Sequence, residues 1–384
     1  MASLVFIGHE ASLTGAPYTQ LYILQWLRAH TQHTVELVLL RGGPLVSEFE
    51  KVANVHILSD YIEAPNLAQR IIRKYEHVTN VRLRRAVQSI KRKSPSLIFA
   101  NTVVSLESAV YFKQLLCVPL IINIHELDTI FFQYDITLFK QNAKEVDFFV
   151  PASQAVKDLY QSMGMMAEAK TQIVYDFTND RLNGVSTKEE IRQRFLIPAN
   201  AKIVGAVGTL GWRKGPDLFL QIAQYLIKSG NENIYFMWVG CNTGSVAYKE
   251  MLHDTRMMGL EKRVLFIEAQ ADVKGFFEAF DAFLLTSRED PFPLVCMEAA
   301  MSGCPIVCFE GGGGMPEFVR NDAGYVTPYA DVPAMANKAL YLLQNENERH
   351  QLGLTARNRA VNQHTIKVIG PQINEIINKF LLMS

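Results

Sequence analysis

The stretch SREDPFPLVCMEAAMSGCPIVCFEGGGGMPEFV, residues 287–319, decides the reading of this chain. It starts where the apolar run AFLLTS, residues 282–287, ends. Residues 294–301 read as a helix, so the helix N-terminus sits at the carboxyl end of a buried strand with Asp290 just before it. Free backbone N–H groups at such a terminus meet sugar hydroxyls or phosphate oxygens. Another apolar run, residues 305–309, follows. The order is strand, loop, helix, strand.

The same alternation runs outward in both directions. Short apolar runs occur at residues 4–7, 35–40, 55–58, 97–100, 120–124 and 148–150, and again at 203–207, 234–239, 264–267, 282–285, 305–309 and 325–326. They are often β-branched and show no polar alternation, which suits strands covered on both faces. Between them lie stretches with helical spacing, such as residues 17–30 and 217–228. Strands alternating with helices over a whole chain predict parallel sheets in doubly wound α/β layers. The pattern runs twice. A polar, turn-rich segment, YDFTNDRLNGVSTKEE (residues 175–190), reads as a hinge, and two such blocks leave a cleft between them. Ligands of these sheets bind at the carboxyl ends of strands. The terminal IKVIGPQINEIINKFLLM reads as a weakly amphipathic helix that packs back across the hinge.

Composition excludes several classes. The 384 residues carry 38 Lys plus Arg against 38 Asp plus Glu, and this zero net charge argues against a dedicated nucleic-acid binder. No apolar run reaches the ~18 residues of a membrane span, and MASLVFIGHE reads as a first buried strand rather than a signal peptide. The five cysteines form no CxxC pair and fit no zinc pattern, so free, mostly buried thiols in a reducing cytoplasm are expected. Nine basic residues and one acid lie between Arg70 and Lys93, with Ile71, Ile72, Tyr75, Val78, Leu83, Val87 and Ile90 as an apolar stripe. This run reads as the solvated face of ordinary helices, as a docking face for anionic lipid or an anionic glycolipid acceptor, or, third, as a nucleic-acid contact.

Five constellations carry chemistry. Asp290 and Glu298 stand eight apart, and Glu298, in the early helix turns, is placed to take two hydrogen bonds from a ribose diol. An Asp at a helix start is also a common cap. In GTLGWRKGPDLFLQIA, residues 208–223, Arg213 and Lys214 sit in a glycine-punctuated loop before a helix, where two cations neutralise a diphosphate; the loop is no P-loop. In HEASLTGAP, residues 9–17, GxGxxG is absent, but Gly15 and Ala16 permit close backbone approach. His125 ends a buried strand. Gly311 to Gly314 offer unhindered N–H groups.

With these residues in hand, the chain resembles the retaining, nucleotide-sugar-dependent glycosyltransferases of family 4, the group 1 family with the GT-B fold. The paired acids match Asp290 and Glu298, the basic pair Arg213 and Lys214, the N-terminal glycine loop Gly15 and Ala16, and the cleft histidine His125. The resemblance implies two Rossmann-like domains facing a central cleft: residues 1–178 bind the acceptor, 179–355 bind the nucleotide-sugar, and 356–384 form a helical segment packing back towards the first.

It also implies a metal-independent transfer of a hexose, with UDP-glucose the first expectation for the donor. The donor-binding set is Gly15, Ala16, Gly208, Arg213, Lys214, Glu289, Asp290, Phe292, Pro293, Leu294, Val295 and Glu298. Arg213 and Lys214 would stabilise the leaving diphosphate, Glu298 the ribose, Asp290 the sugar ring, and His125 the sugar's outer hydroxyls. No cofactor or metal is implied. The acceptor would be a saccharide or glycolipid of polysaccharide assembly, met by loops near residues 10–14, 101–105 and 126–134. The enzyme would be cytoplasmic and peripheral on an anionic membrane. Three departures stand out. Asp290 replaces the commoner Glu with Glu289 beside it, Pro293 replaces a Gly and lacks an N–H, and Asp176 stands where Asn is common. The alternatives are a GT-B nucleotide-sugar epimerase and a non-catalytic nucleotide-sugar-binding protein.

Overall fold

A computed structural model describes residues 1–59, 81–182 and 184–382. All twelve apolar runs are strands. In the first half they are β1 (Ser3–Gly8), β2 (Thr34–Leu39), β3 (Asn54–Ile57), β4 (Leu97–Asn101), β5 (Leu120–Ile124) and β6 (Phe148–Pro151). In the second they are β7 (Lys202–Val207), β8 (Ile234–Cys241), β9 (Val264–Glu268), β10 (Ala282–Leu285), β11 (Ile306–Phe309) and β12 (Gly324–Thr327). They form two six-stranded sheets of orders β3-β2-β1-β4-β5-β6 and β12-β11-β10-β7-β8-β9, parallel throughout. Every residue of β4, β5, β10 and β11 is buried. This is why these runs are apolar without alternation: helices cover both faces.

The two sheets have one topology. In each, the chain lays two further strands outward from the first and then returns to the first strand's other side. The return leaves a switch point between β1 and β4 in one sheet and between β7 and β10 in the other. Connections there leave in opposite directions, so the carboxyl ends of these strand pairs are where an open α/β sheet receives ligands.

The chain divides into two compact units, Met1–Asp176 with Ile366–Ser384, and Phe177–Thr365. The segment read as 356–384 is therefore not one piece. Its first residues finish the helix Glu346–Gln363 of the second unit, and only the helix Ile366–Leu381 belongs to the first. That helix buries Ile366, Ile369, Ile373, Ile376 and Ile377, a full stripe at three- and four-residue spacing rather than a weak one. A Cβ on Gly370 would lie 2.5 Å from Trp26 Cδ2, so Gly370 is what lets this helix close on the helix Gly15–His30. Each fully buried isoleucine contributes about 1.5–3 kcal/mol.

The chain changes unit between Asp176 and Phe177 and again between Thr365 and Ile366. Within the second unit these two passages lie side by side: Thr178 N donates to His364 O at 3.1 Å. The later part of the expected hinge is fixed. Asp272 accepts from Val185 N and Ser186 N, both at 2.8 Å, and from Ser186 Oγ at 2.7 Å. Thr187 and Glu190 then form a capping box for the helix Lys188–Arg194.

The basic run falls partly outside the described residues. Its described part is the helix Val81–Lys91 and the turn after it. Leu83, Val87 and Ile90 are buried in the first unit's core, so the described part of the stripe faces inward. Arg82, Arg84, Arg85, Lys91, Arg92 and Lys93 are exposed. Among the described residues, no helix is long and apolar enough to cross a membrane, and no group of three or more His, Cys, Asp or Glu can hold a metal ion.

Candidate active site

The second unit's switch point collects most of the charged residues singled out above. β7 ends at Val207, and a turn at Trp212–Lys214 leads through Gly215 into the helix Pro216–Lys228. Gly215 has φ +68°, and a Cβ there would meet Thr286 O at 2.2 Å. Only glycine allows this close pass, and Pro216 then starts the helix with its φ preset. The loops after β7 and β10 are tied together. Thr286 Oγ1 donates to Lys214 O at 3.1 Å, and Arg288 N donates to Arg213 O at 2.8 Å. The Arg288 guanidinium grips both Asp217 oxygens at 2.9 and 2.7 Å and donates to Trp212 O at 2.8 Å.

These ties hold the two cations against Asp290. Lys214 Nζ donates to Asp290 Oδ2, and Ser287 Oγ donates to the same oxygen at 3.2 Å. Arg213 Nη1 lies 3.6 Å from Asp290 Oδ1 and donates to Glu289 O at 2.8 Å. Burial alone would raise the Asp290 pKa, but Lys214, then Arg213, then the hydrogen bonds bring it below the ordinary carboxylate value. Asp290 is 5% exposed, so its carboxylate holds the cations in place instead of facing outward. An ammonium has three donors, and Asp290 uses one of them.

The backbone at Asp290 is clamped by the tetraglycine. Asp290 N donates to Gly312 O at 2.7 Å, and Gly314 N donates to Asp290 O at 3.3 Å. Gly313 has φ +128°, and a Cβ on it would lie 1.8 Å from Asp290 O. The glycine run is thus a fixed bridge alongside residue 290.

The expected helix is present at Leu294–Met301, with Pro293 as its N-cap and no side-chain cap. The Leu294 and Val295 N–H groups start the helix, where no carbonyl within it reaches them. The Phe292 ring is directed inward, 5.0 Å from the His364 ring and 6.4 Å from Phe318. Its ring packs inward, so a donor contact at Phe292 would fall to its main chain. Glu298 is half-buried, and no described side chain partners its carboxylate. Burial pushes its pKa up to about 7. Gly208 directly follows β7; its O accepts from Trp238 Nε1 at 2.8 Å. The Trp212 side chain is exposed.

The first unit's switch point is built from neutral hydrogen bonds around one buried ion pair. Asn101, the last residue of β4, donates from Nδ2 to Ala16 O at 3.0 Å. That bond fixes the amide orientation, so Oδ1 is the atom 2.8 Å from His125 Nε2. His125 Nδ1 lies 2.9 Å from Asp176. With an acceptor on each nitrogen, the ring is satisfied when both carry protons. Burial lowers the His125 pKa, but the Asp176 charge and hydrogen bond, helped by Glu126, leave it raised.

The His125 side chain is 5% exposed and both nitrogens are engaged, so it connects the Gly15–Ala16 turn to Asp176. Gly15 opens the helix Gly15–His30, where its O accepts from Thr19 Oγ1 at 3.0 Å. Sequence reasoning did not single out Asn101 or Ser287, because an Asn at a strand end and a Ser beside an acid show nothing until their partners are placed.

Solved structures share this architecture. Anabaena HepE in complex with UDP-glucose is similar with a TM-score of 0.83 at 20% identity, over 99% of this chain and 100% of that one. WaaG, a glycosyltransferase involved in lipopolysaccharide biosynthesis, gives 0.72 at 15% identity, over 97% and 99%. The fold is therefore GT-B. Residues 187–359, within the second unit, match the family model of the glycosyl transferases group 1.

Among curated relatives, the D-inositol 3-phosphate glycosyltransferase of Corynebacterium diphtheriae is 29% identical over 45% of this chain and 42% of its own length. The N-acetyl-alpha-D-glucosaminyl L-malate synthase of Bacillus anthracis is 24% identical over 53% and 52%. The chain spans about half the length of the curated relatives it matches.

Proposed function

We propose that the chain is a group 1 glycosyltransferase that moves a hexose, glucose first, from a UDP-sugar to a saccharide or glycolipid acceptor with retention at the anomeric carbon. The observation that carries this reading is the Lys214–Asp290–Arg213 cluster at the second unit's switch point, in the same domain as Glu298, whose carboxylate has no partner among the described residues. Lys214 and Arg213 supply fixed positive charge, as a leaving diphosphate requires, and they are held before any substrate arrives. Such preorganised donors stabilise a developing anion more than water does. Glu298, once ionised, accepts from both hydroxyls of a ribose. Main-chain N–H groups at Leu294 and Val295 serve the sugar or its phosphate. Retention follows from same-face attack, with the departing phosphate taking the acceptor's proton.

The test is a panel of UDP- and GDP-linked sugars assayed for hydrolysis and for transfer. Turnover with one donor, lost in Lys214→Ala and Glu298→Ala while both variants stay folded, is the expected result. Nucleotide-sugar binding without turnover would favour a non-catalytic binding protein, and donor conversion without an acceptor would favour an epimerase. The exposed cations between Arg82 and Lys93 support peripheral contact with an anionic, cytoplasm-facing membrane. Flotation with anionic vesicles that is lost at high salt is expected; salt-independent or absent binding removes that part of the proposal.

A further inference from the structure

One carboxylate of the first unit is held by half. Glu126 follows β5, and its Oε2 accepts from His125 N and from Val103 N, each at 3.1 Å. Its Oε1 has no partner among the described residues, and the side chain is half-buried. The second of those amides is presented from an unusual backbone. Thr102, just before it, has φ +85° and is 1% exposed. A β-branched residue held in that region costs about 1–3 kcal/mol, and such strain gathers where a structure places functional groups. The site lies at the carboxyl ends of β4 and β5, beside the first switch point.

The surroundings suit a hydroxyl. The charges of Arg41, Glu126 and Glu10 all act on Tyr134, so the four side chains share one polar neighbourhood. Arg41 Nη1 lies 3.7 Å from Glu10 Oε2, which occupies that cation in part. Burial raises the Glu126 pKa; the His125 charge and the two amides oppose this without cancelling it.

We infer that Glu126 binds the acceptor, its free Oε1 accepting a hydrogen bond from a hydroxyl, and that the acceptor therefore presents a neutral saccharide or polyol face to the first unit. A carboxylate is acceptor-only and repels a phosphate or carboxylate placed against it. The chain would then differ from a relative acting on an inositol phosphate, at the point where the acceptor meets Glu126. This inference rests on the glycosyltransferase reading above and adds the acceptor's chemistry to it.

Glu126→Gln separates the role from the fold. The glutamine carbonyl still accepts from both amides, while its NH2 replaces the free oxygen and can only donate. With the donor identified by the nucleotide-sugar panel, transfer is measured to octyl β-glucoside, octyl β-galactoside, octyl α-mannoside and myo-inositol, and to glucose 6-phosphate and myo-inositol 1-phosphate. The wild type is expected to glycosylate a neutral member. In Glu126→Gln the KM for that acceptor should rise at least ~10-fold, the gain per hydrogen bond to a charged group being ~1.5–3 kcal/mol. UDP affinity by calorimetry should stay within about twofold. An unchanged acceptor KM, preference for the phosphorylated members, or silence of every neutral member would each overturn the inference. A wild type that binds neither UDP nor GDP and hydrolyses no donor would instead overturn the glycosyltransferase reading.

Discussion

The two switch points have the same topology and opposite electrostatics. At β7 and β10 the second unit gathers two cations on one buried carboxylate. At β1 and β4 the first unit seals a histidine between an amide and an aspartate and leaves a carboxylate half open. The difference shows that a fold fixes where a ligand meets a sheet, while the side chains at the strand ends decide its charge. On the readings proposed above, the second site would take an anion and the first a neutral hydroxyl.

The largest expected effect comes from emptying the cationic site. Lys214→Ala should lower donor turnover by about 100- to 1,000-fold, the loss typical of removing one preorganised donor. It should also cost about 3 kcal/mol of stability, because buried Asp290 keeps only Arg213 as a charged partner beside the Ser287 hydroxyl. Adding Asp290→Asn should restore the stability, read by denaturant unfolding, without restoring turnover. If both return together, the pair is purely structural and the contrast between the two sites fails.

Glu298 should show a smaller effect with a definite sign. Its carboxyl is raised to about 7, so the stability its neutral form contributes is complete below the ordinary value of 4.5 and is lost as pH rises through about 7. Glu298→Gln should therefore be more stable than wild type at pH 8, by at most about 3 kcal/mol, and indistinguishable from it near pH 4. UDP affinity of the wild type should tighten as the carboxylate ionises between pH 6 and 8, and that slope should be absent in the variant. Parallel unfolding and binding titrations check both.

The first site should break differently. Asn101→Leu leaves His125 Nε2 and the Ala16 carbonyl without their partner, at a cost of about 1–3 kcal/mol. The raised His125 pKa contributes stability that is complete below 6.5 and is lost as pH climbs through the raised value; this limb should weaken in the variant. The smallest effect belongs to the rim. Asp217→Asn should cost no more than about 1 kcal/mol, since its partner Arg288 grips it near the surface. A larger loss in thermal unfolding would mean that the Trp212 loop depends on that grip.

Much of this was legible in the sequence. Strands buried on both faces must be apolar without alternation, so all twelve declared themselves. Their alternation with helices implied the parallel sheets and hence the strand ends where Lys214, Asp290 and Glu298 lie. What stayed hidden is where polar tips and rings turn. Asp290 and Lys214 are 76 residues apart and nothing local says that they pair. Nothing local shows that His125 meets Asn101 and Asp176. Nor does anything local show that the Phe292 ring turns toward Phe318 and His364. The unit boundary near residue 365 was also hidden, because the helices on either side of it share one periodic pattern.

The helix Ile366–Leu381 completes a unit whose strands all precede residue 152. During synthesis it is made only after the whole of the second unit, a delay of roughly 10–40 s at ordinary elongation rates. For that time the face of the first sheet that these isoleucines later cover is bare, and the second unit is free to fold first. The N-terminal half of this protein is therefore the half whose core is completed last.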